Sequence, residues 1–267
     1  MLNLTGALSK LETELRALGN VVVAFSGGAD SAFLAVMATQ ILGAPHVKCV
    51  TAVSPSLAEM ELEECGALAA EWALNWHTVH TYEMENAAYQ TNDAMRCFHC
   101  KSALMEALAP SLANGYTAVL GVNVDDMGDH RPGQQAAREA GARFPLLDAG
   151  FTKQMIRDAS QRLGLRTWDK PAAACLASRI PYGTQVTVAL LSRVERAEAA
   201  LKTLGFAAVR VRHYGDTARI EVPLDQLTAV VDQREQIVAV VKDSGYSYVT
   251  LDLEGLRSGN LNAALSL

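Results

Sequence analysis

Residues 21–31 read VVVAFSGGADS. The first five are apolar, and three of them are β-branched. Such a run suits a strand buried on both faces rather than one with a wet side. The hexapeptide Ser26-Gly27-Gly28-Ala29-Asp30-Ser31 follows at once, and SAFLAVMATQIL then has the composition of a helix. Two glycines between a buried strand and a helix let the backbone turn sharply and come close to a ligand. The new helix would aim its unbonded N–H groups and the positive end of its dipole at that ligand, a ready site for phosphate. Ser26 and Ser31 can add hydroxyl donors. Asp30 would repel phosphate directly, so it is expected to cap the helix or help hold Mg²⁺.

The pattern around this loop fixes the fold class. Strands are expected at residues 47–53, 77–82 and 118–122, and helices at 56–73, 98–112 and 153–163, with Ser56 as the N-cap of the first. Strands that alternate with helices imply an α/β domain: an open parallel sheet with helices on both faces. Ligands of such sheets lie beyond the carboxyl ends of the strands. After about residue 180 the order changes. Helices at 188–204 and 224–242, the hairpin VRVRHY-GD-TARIEV and a last strand at 246–253 predict a small C-terminal α+β domain. The expected division is 1–170 and 171–267, with Cys175 on the connecting loop.

Half of the 267 residues are hydrophobic, ample for a core of this size. The formal net charge of -6 argues against a general electrostatic grip on nucleic acid. No apolar run approaches the roughly 20 residues that span a bilayer. The N-terminus reads as an amphipathic helix rather than a signal peptide, so a cytoplasmic location is expected, with no membrane partner.

The five cysteines are an odd number and do not suggest a disulfide framework. Cys49 falls in a strand and Cys65 in a helix, both as core residues. Cys97 and Cys100 form Cys-Phe-His-Cys ahead of Lys101, a spacing that lets two thiolates converge on one metal or cluster. Cys175, in KPAAACLASRIPYG, is the natural third ligand. Three cysteines can bind three irons of a [4Fe-4S] cluster and leave the fourth open to sulfide. A structural zinc site with His99 or His130, a redox pair and unrelated core cysteines are the other readings.

The segment GVNVDDMGDHRPG follows a buried strand and so belongs to the same sheet edge as the phosphate loop. Asp126 and Asp129 could hold Mg²⁺ there, or serve as turn and cap residues, and Arg131 could meet a carboxylate or phosphate. Ser178 and Arg179 stand close to Cys175. Arg210 and Arg212, two apart on a strand, share a face that could take a phosphate or a carboxylate.

The hexapeptide lacks the lysine of a Walker A loop and the spacing of a dinucleotide fingerprint. It resembles the pyrophosphate loop (PP-loop) of adenine nucleotide alpha hydrolases, which cleave ATP between its α- and β-phosphates. Together with DDMGDHRPG, KPAAACLASRIPYG, VRVRHYGDTARIE and YVTLDLEGLRSG, in this order over nearly the whole chain, it resembles the LarE sulfur transferases. That resemblance implies an enzyme that makes the nickel-pincer nucleotide cofactor. ATP would adenylylate a carboxylate of pyridinium-3,5-biscarboxylic acid mononucleotide, and sulfur would displace AMP. Ser26, Gly27, Gly28, Asp30 and Ser31 would hold ATP, and Asp30 and Cys175 would be catalytic. Arg210, Arg212, Arg179 and Ser178 would hold the substrate. In one branch of the family the cysteine matching Cys175 gives up its own sulfur. That branch lacks the C-x-x-C, so Cys97, Cys100 and Cys175 imply the cluster-bearing branch, fed by sulfide or a sulfur donor. The resemblance also implies a homo-oligomer, with hexamers known in the family. The rivals are a tRNA thiolase of the same superfamily and a non-catalytic adenine-nucleotide sensor; an ammonia-dependent ligase would leave the three cysteines without a role.

Overall fold

Asn3 starts the first helix by accepting the Gly6 N–H on its side chain at 2.9 Å. That helix, α1 (Leu4–Leu18), buries Ala7, Leu11 and Leu15, one stripe at intervals of four. The structure is a computed structural model that describes residues 3–128, 132–171 and 174–257. It divides into two units, Met1–Glu83 with Cys97–Ala173 and Met84–Arg96 with Ala174–Leu267. The second unit therefore takes a segment from the middle of the first stretch of chain, a detour that local sequence patterning does not announce.

In the first unit, β1 (Val21–Ala24), β2 (Val47–Val53), β3 (Trp76–His80) and β4 (Thr117–Val119) form a sheet in the order β3-β2-β1-β4. Every pairing is parallel, with Val21 opposite both Val47 and Thr117. Between the strands run α2 (Ala29–Leu42), α3 (Glu59–Glu71) and α5 (Arg96–Ala113); α6 (Pro132–Glu139), α7 (Pro145–Asp148) and α8 (Lys153–Arg162) follow β4. Alternate residues of each strand go to opposite faces. Val21, Val23, Val47 and Cys49 pack with α1 and α2, while Val22, Val50 and Ala118 pack with Leu104, Met105 and Leu108 of α5. The sheet is thus covered on both faces, as the apolar runs require. Burial of each Val side chain contributes about 1.5–3 kcal/mol. Cys49 and Cys65 are both core residues, and burial pushes the Cys49 thiol up to about 12.

Helix α3 starts at Glu59 after Ala58, so Ser56 is not its N-cap. The Ser56 hydroxyl donates to Glu83 instead. The Cys97–Cys100 pair lies in the first turn of α5, which starts two residues before the expected Phe98.

The second unit contains α4 (Ala87–Gln90), α9 (Val188–Thr203), β5 (Arg210–Tyr214), β6 (Thr217–Glu221), α10 (Leu227–Asp232), α11 (Arg234–Asp243) and β7 (Tyr248–Leu251). Its sheet runs β5-β6-β7, antiparallel and then parallel. One face, with Val211, Ala218 and Ile220, packs on Ala197 and Leu201 of α9 and on Ile237 and Val241 of α11. The single helix expected over 224–242 breaks at Gln233, which lies between α10 and α11. No glycine or proline marks that break.

Asn92 ties the two stretches of this unit together. It is fully buried, with φ +58, and its side-chain amide donates to the carbonyls of Pro181 at 2.8 Å and Thr184 at 2.9 Å. Its own carbonyl accepts the Gly183 N–H. Arg96 donates to the Asn92 side-chain oxygen at 2.6 Å and to the Ala177 carbonyl at 2.9 Å. Among the described residues, no helix is long and apolar enough to cross a membrane.

Candidate active site

The loop after β1 is built as its sequence implies. Gly27 has φ +66, a conformation that costs residues with a Cβ. A Cβ there would also meet the Cys65 sulfur at 3.0 Å. Cys65 thus packs beneath the loop, a role its place in a helix does not reveal. Gly28 caps α2 in extended geometry, and the helix begins at Ala29. Ser26 is exposed at the turn, and its N–H donates to the Ser31 hydroxyl at 3.2 Å. That hydroxyl donates in turn to the Gly28 carbonyl at 3.1 Å. The two serines therefore brace each other across the turn. From behind, Thr51 donates to the Phe25 carbonyl at 2.7 Å and accepts from the Trp76 indole at 2.9 Å.

Asp30 lies in the first turn of α2, where Asn123 donates to its Oδ2 at 3.2 Å. Gly121, which leads into this segment, comes so close that a Cβ would stand 2.9 Å from the Asp30 carbonyl carbon and from the Ser31 nitrogen. Only glycine permits that approach. Asp126 is 4% exposed; its Oδ1 pairs with Lys153 at 3.1 Å and its Oδ2 accepts the Asn123 N–H at 3.2 Å. Both oxygens therefore hold the segment after β4 in place, next to the loop. Asp129 and Arg131, like His130, lie outside the described residues.

Cys97 is exposed and Cys100 half-buried, three residues apart in the first turn of α5. Gly133 packs on this turn: a Cβ there would stand 2.9 Å from the Cys97 carbonyl oxygen and from Cγ of Lys101. Cys175 is exposed in the second unit and precedes a 3₁₀ turn over Leu176–Arg179. Among the described residues of either unit, no group of three or more His, Cys, Asp or Glu could hold a metal ion. None of the five cysteines is in a disulfide.

Arg179 and Arg212 are buried, at 8% and 2% exposed, and each is engaged by a buried carboxylate. Arg179 forks onto Glu198 at 2.8 and 3.0 Å, and its third arm reaches the Ala174 and Cys175 carbonyls and the Ser178 hydroxyl. Arg212 donates twice to Glu221 Oε2, at 3.0 and 2.9 Å, and to the Ser178 carbonyl at 2.7 Å. Both arginines are thus structural anchors of the Cys175 turn. Their partners, Glu198 and Glu221, escaped sequence reasoning because a helix and a strand each show a charge without showing what it faces. Arg210 shares the face of Arg212 and stands opposite Glu221 in register. Its pKa is drawn below the ordinary arginine value, by burial first and then by the guanidinium charges of Arg179 and Arg212. An anion beside Arg210 would relieve that repulsion.

A family model described as NAD synthase matches residues 6–107, which cover the loop and the first three strands. Over 268 residues the chain is 36% identical to pyridinium-3,5-bisthiocarboxylic acid mononucleotide synthase of Lactiplantibacillus plantarum, covering 100% of this chain and 97% of that one. The chain belongs to the LarE family. Residues 6–107 match an NAD synthase-like domain of the PP-loop superfamily, and the family connection makes the chain an ATP-using sulfurtransferase. Two further relatives are uncharacterized proteins. An uncharacterized protein of Synechocystis sp. is 46% identical over 265 residues, 97% of this chain and 98% of that one. An uncharacterized protein of Methanocaldococcus jannaschii is 28% identical over 240 residues, 89% and 91% of the two chains.

Proposed function

We propose that this chain adenylylates a carboxylate of pyridinium-3,5-biscarboxylic acid mononucleotide and replaces AMP with sulfur. The observation that carries the reading is the end-to-end match to the Lactiplantibacillus plantarum synthase in a chain whose phosphate loop is fully formed. A carboxylate is a poor electrophile. Attack of its oxygen on the α-phosphorus of ATP expels pyrophosphate and leaves an acyl-adenylate. Attack of sulfide on that carbonyl carbon then expels AMP and gives the thiocarboxylate. The N–H groups at the start of α2 and the Ser26 hydroxyl would bind the phosphates. Asp30, in the first turn of α2 beside the loop, would help hold Mg²⁺.

A [4Fe-4S] cluster is part of this proposal. What supports it is the chemistry of the residues: Cys97 and Cys100 lie one helical turn apart, Cys175 is exposed, and none is tied up in a disulfide. Three thiolates would hold such a cluster, and when bound it supplies an iron open to sulfide. Arg179 would keep the Cys175 turn in shape through its bonds to the carbonyls of Ala174 and Cys175. Arg210, beside the anchored Arg212 and Arg179, would meet the substrate phosphate.

Two measurements test the reading. Protein purified without oxygen should carry about four irons per chain, and Cys97→Ala, Cys100→Ala and Cys175→Ala should each lose them; one zinc per chain would defeat the cluster. With ATP, sulfide and the bis-carboxylate nucleotide, the products should be pyrophosphate, AMP and a thiocarboxylate. ATP consumed without a thioacid would defeat the sulfur-transfer reading for this substrate.

A further inference from the structure

Glu83 is 3% exposed and lies three residues past the end of β3. Its Oε1 accepts two hydroxyls, from Ser54 and, at 3.0 Å, from Ser56. Both serines follow β2 directly, and the Thr81 N–H donates to the Val53 carbonyl, so the strands are still joined here. The other oxygen, Oε2, is buried with no donor among the described residues. The serines fix the carboxyl plane and turn one acceptor away from the donors of the described residues. An acceptor left in that state is costly unless a donor arrives.

The place of this acceptor narrows the donor. Glu83 and the Ser26-to-Ser31 loop share one edge of the sheet, beyond the carboxyl ends of the strands. In the order β3-β2-β1-β4 they are separated by two strand spacings, roughly 10 Å. A triphosphate on the loop offers only acceptors and would repel Glu83. The donors of ATP are its ribose hydroxyls and the amine of its base. The hydroxyls lie nearer the α-phosphate than the amine does, and the amine lies about two strand spacings away, at the distance of Glu83. The chain beside the acceptor is open, with Pro55 between the two serines exposed and Tyr82 67% exposed. A small movement of the Ser54-Pro55-Ser56 turn would admit the amine.

We propose that Glu83 reads the base of the nucleotide, its Oε2 accepting the exocyclic amine of adenine while the phosphates lie on the loop after β1. This rests on the ATP reading above. The residue sets specificity and takes no part in the chemistry. Ser54 and Ser56 are its positioning residues.

The test is equilibrium binding of ATP, ITP and 2′-deoxy-ATP to the full chain. ITP carries an acceptor where ATP carries the amine. The native chain should bind ATP about tenfold or more tighter than ITP, the scale of a hydrogen bond to a charged group, and should bind 2′-deoxy-ATP nearly as well as ATP. In Glu83→Gln the serines would hold the amide oxygen and leave its NH₂ in place of Oε2, so the preference should disappear or reverse toward ITP. Equal binding of ATP and ITP by the native chain overturns the proposal even if the variant does not fold. So does an unchanged ratio in Glu83→Gln, or a loss confined to 2′-deoxy-ATP. If the native chain binds no nucleotide, the ATP reading itself fails first, a distinct result.

Discussion

Arg179 and Glu198 form a forked ion pair in the interior of the second unit, and the same Glu198 Oε1 that meets the Arg179 Nε accepts the Val211 N–H at 2.9 Å. One carboxylate thereby fastens both the Cys175 turn and strand β5. Buried charges of this kind stabilise only as a complete set, because removal of one leaves the others without partners. Glu198→Gln should destabilise the second unit by about 3–5 kcal/mol, measured as a lowered urea midpoint. Arg179→Lys should lose nearly as much, since a single ammonium cannot reproduce the fork.

Gly121 gives a prediction confined to the phosphate loop. Gly121→Ala would press a methyl onto the Asp30 and Ser31 backbone at 2.9 Å, where no flexible side chain can yield. ATP affinity should fall about tenfold or more and stability by about 1–3 kcal/mol, read by calorimetric titration and thermal melting. Unchanged ATP binding would show that the first turn of α2 does not take part in it.

Gly133 should behave differently. Gly133→Ala would push on the Cys97 carbonyl and the Lys101 stem, again at 2.9 Å. Iron content after anaerobic purification should drop, while ATP binding at the loop after β1 stays near that of the native chain. A loss of both together would point to a general folding defect instead.

His213 predicts a pH effect on stability. It is 4% exposed, its Nδ1 has no partner among the described residues, and its ring stands 5.8 Å from that of Tyr246. Burial, and then the charge of Arg193, push its pKa below the ordinary 6.5, against a smaller opposing pull from Asp216. The unfolded chain therefore takes up this proton first as the pH falls. The stability it contributes is full above 6.5 and is lost below that value, down through the folded pKa. Urea unfolding between pH 8 and 5 should show the loss, and His213→Phe should flatten that part of the curve.

The sequence carries the layered α/β plan plainly, since unbroken apolar runs such as that of Val21 to Phe25 leave a strand no wet face. It also marks the phosphate turn, where Gly27 and Gly28 leave little choice of backbone. Other features depend on contacts between distant positions. Ser56 looks like a helix cap until Glu83 claims its hydroxyl. Arg179 and Arg212 look like open cations until Glu198 and Glu221 meet them. The break at Gln233 follows from the packing of two short helices and carries no punctuation of its own. A pattern of residue types records how each segment would sit against a generic core, whereas these pairings are settled by which segments meet.

The clasp around Asn92 bears on how the molecule is made. The chain enters the second unit, leaves it for the rest of the first, and returns about 80 residues later. On a ribosome adding about 5–20 residues per second, residues 84–96 would wait on the order of ten seconds for the carbonyls of Pro181 and Thr184. Until then the side-chain amide of Asn92 lacks the carbonyls of Pro181 and Thr184, and Arg96 lacks the Ala177 carbonyl. Contacts of such long sequence separation form late and slow the last step of folding. The first unit would have its four strands once residue 119 is made, so the sheet behind the Ser26–Ser31 loop should form before the sheet of the second unit.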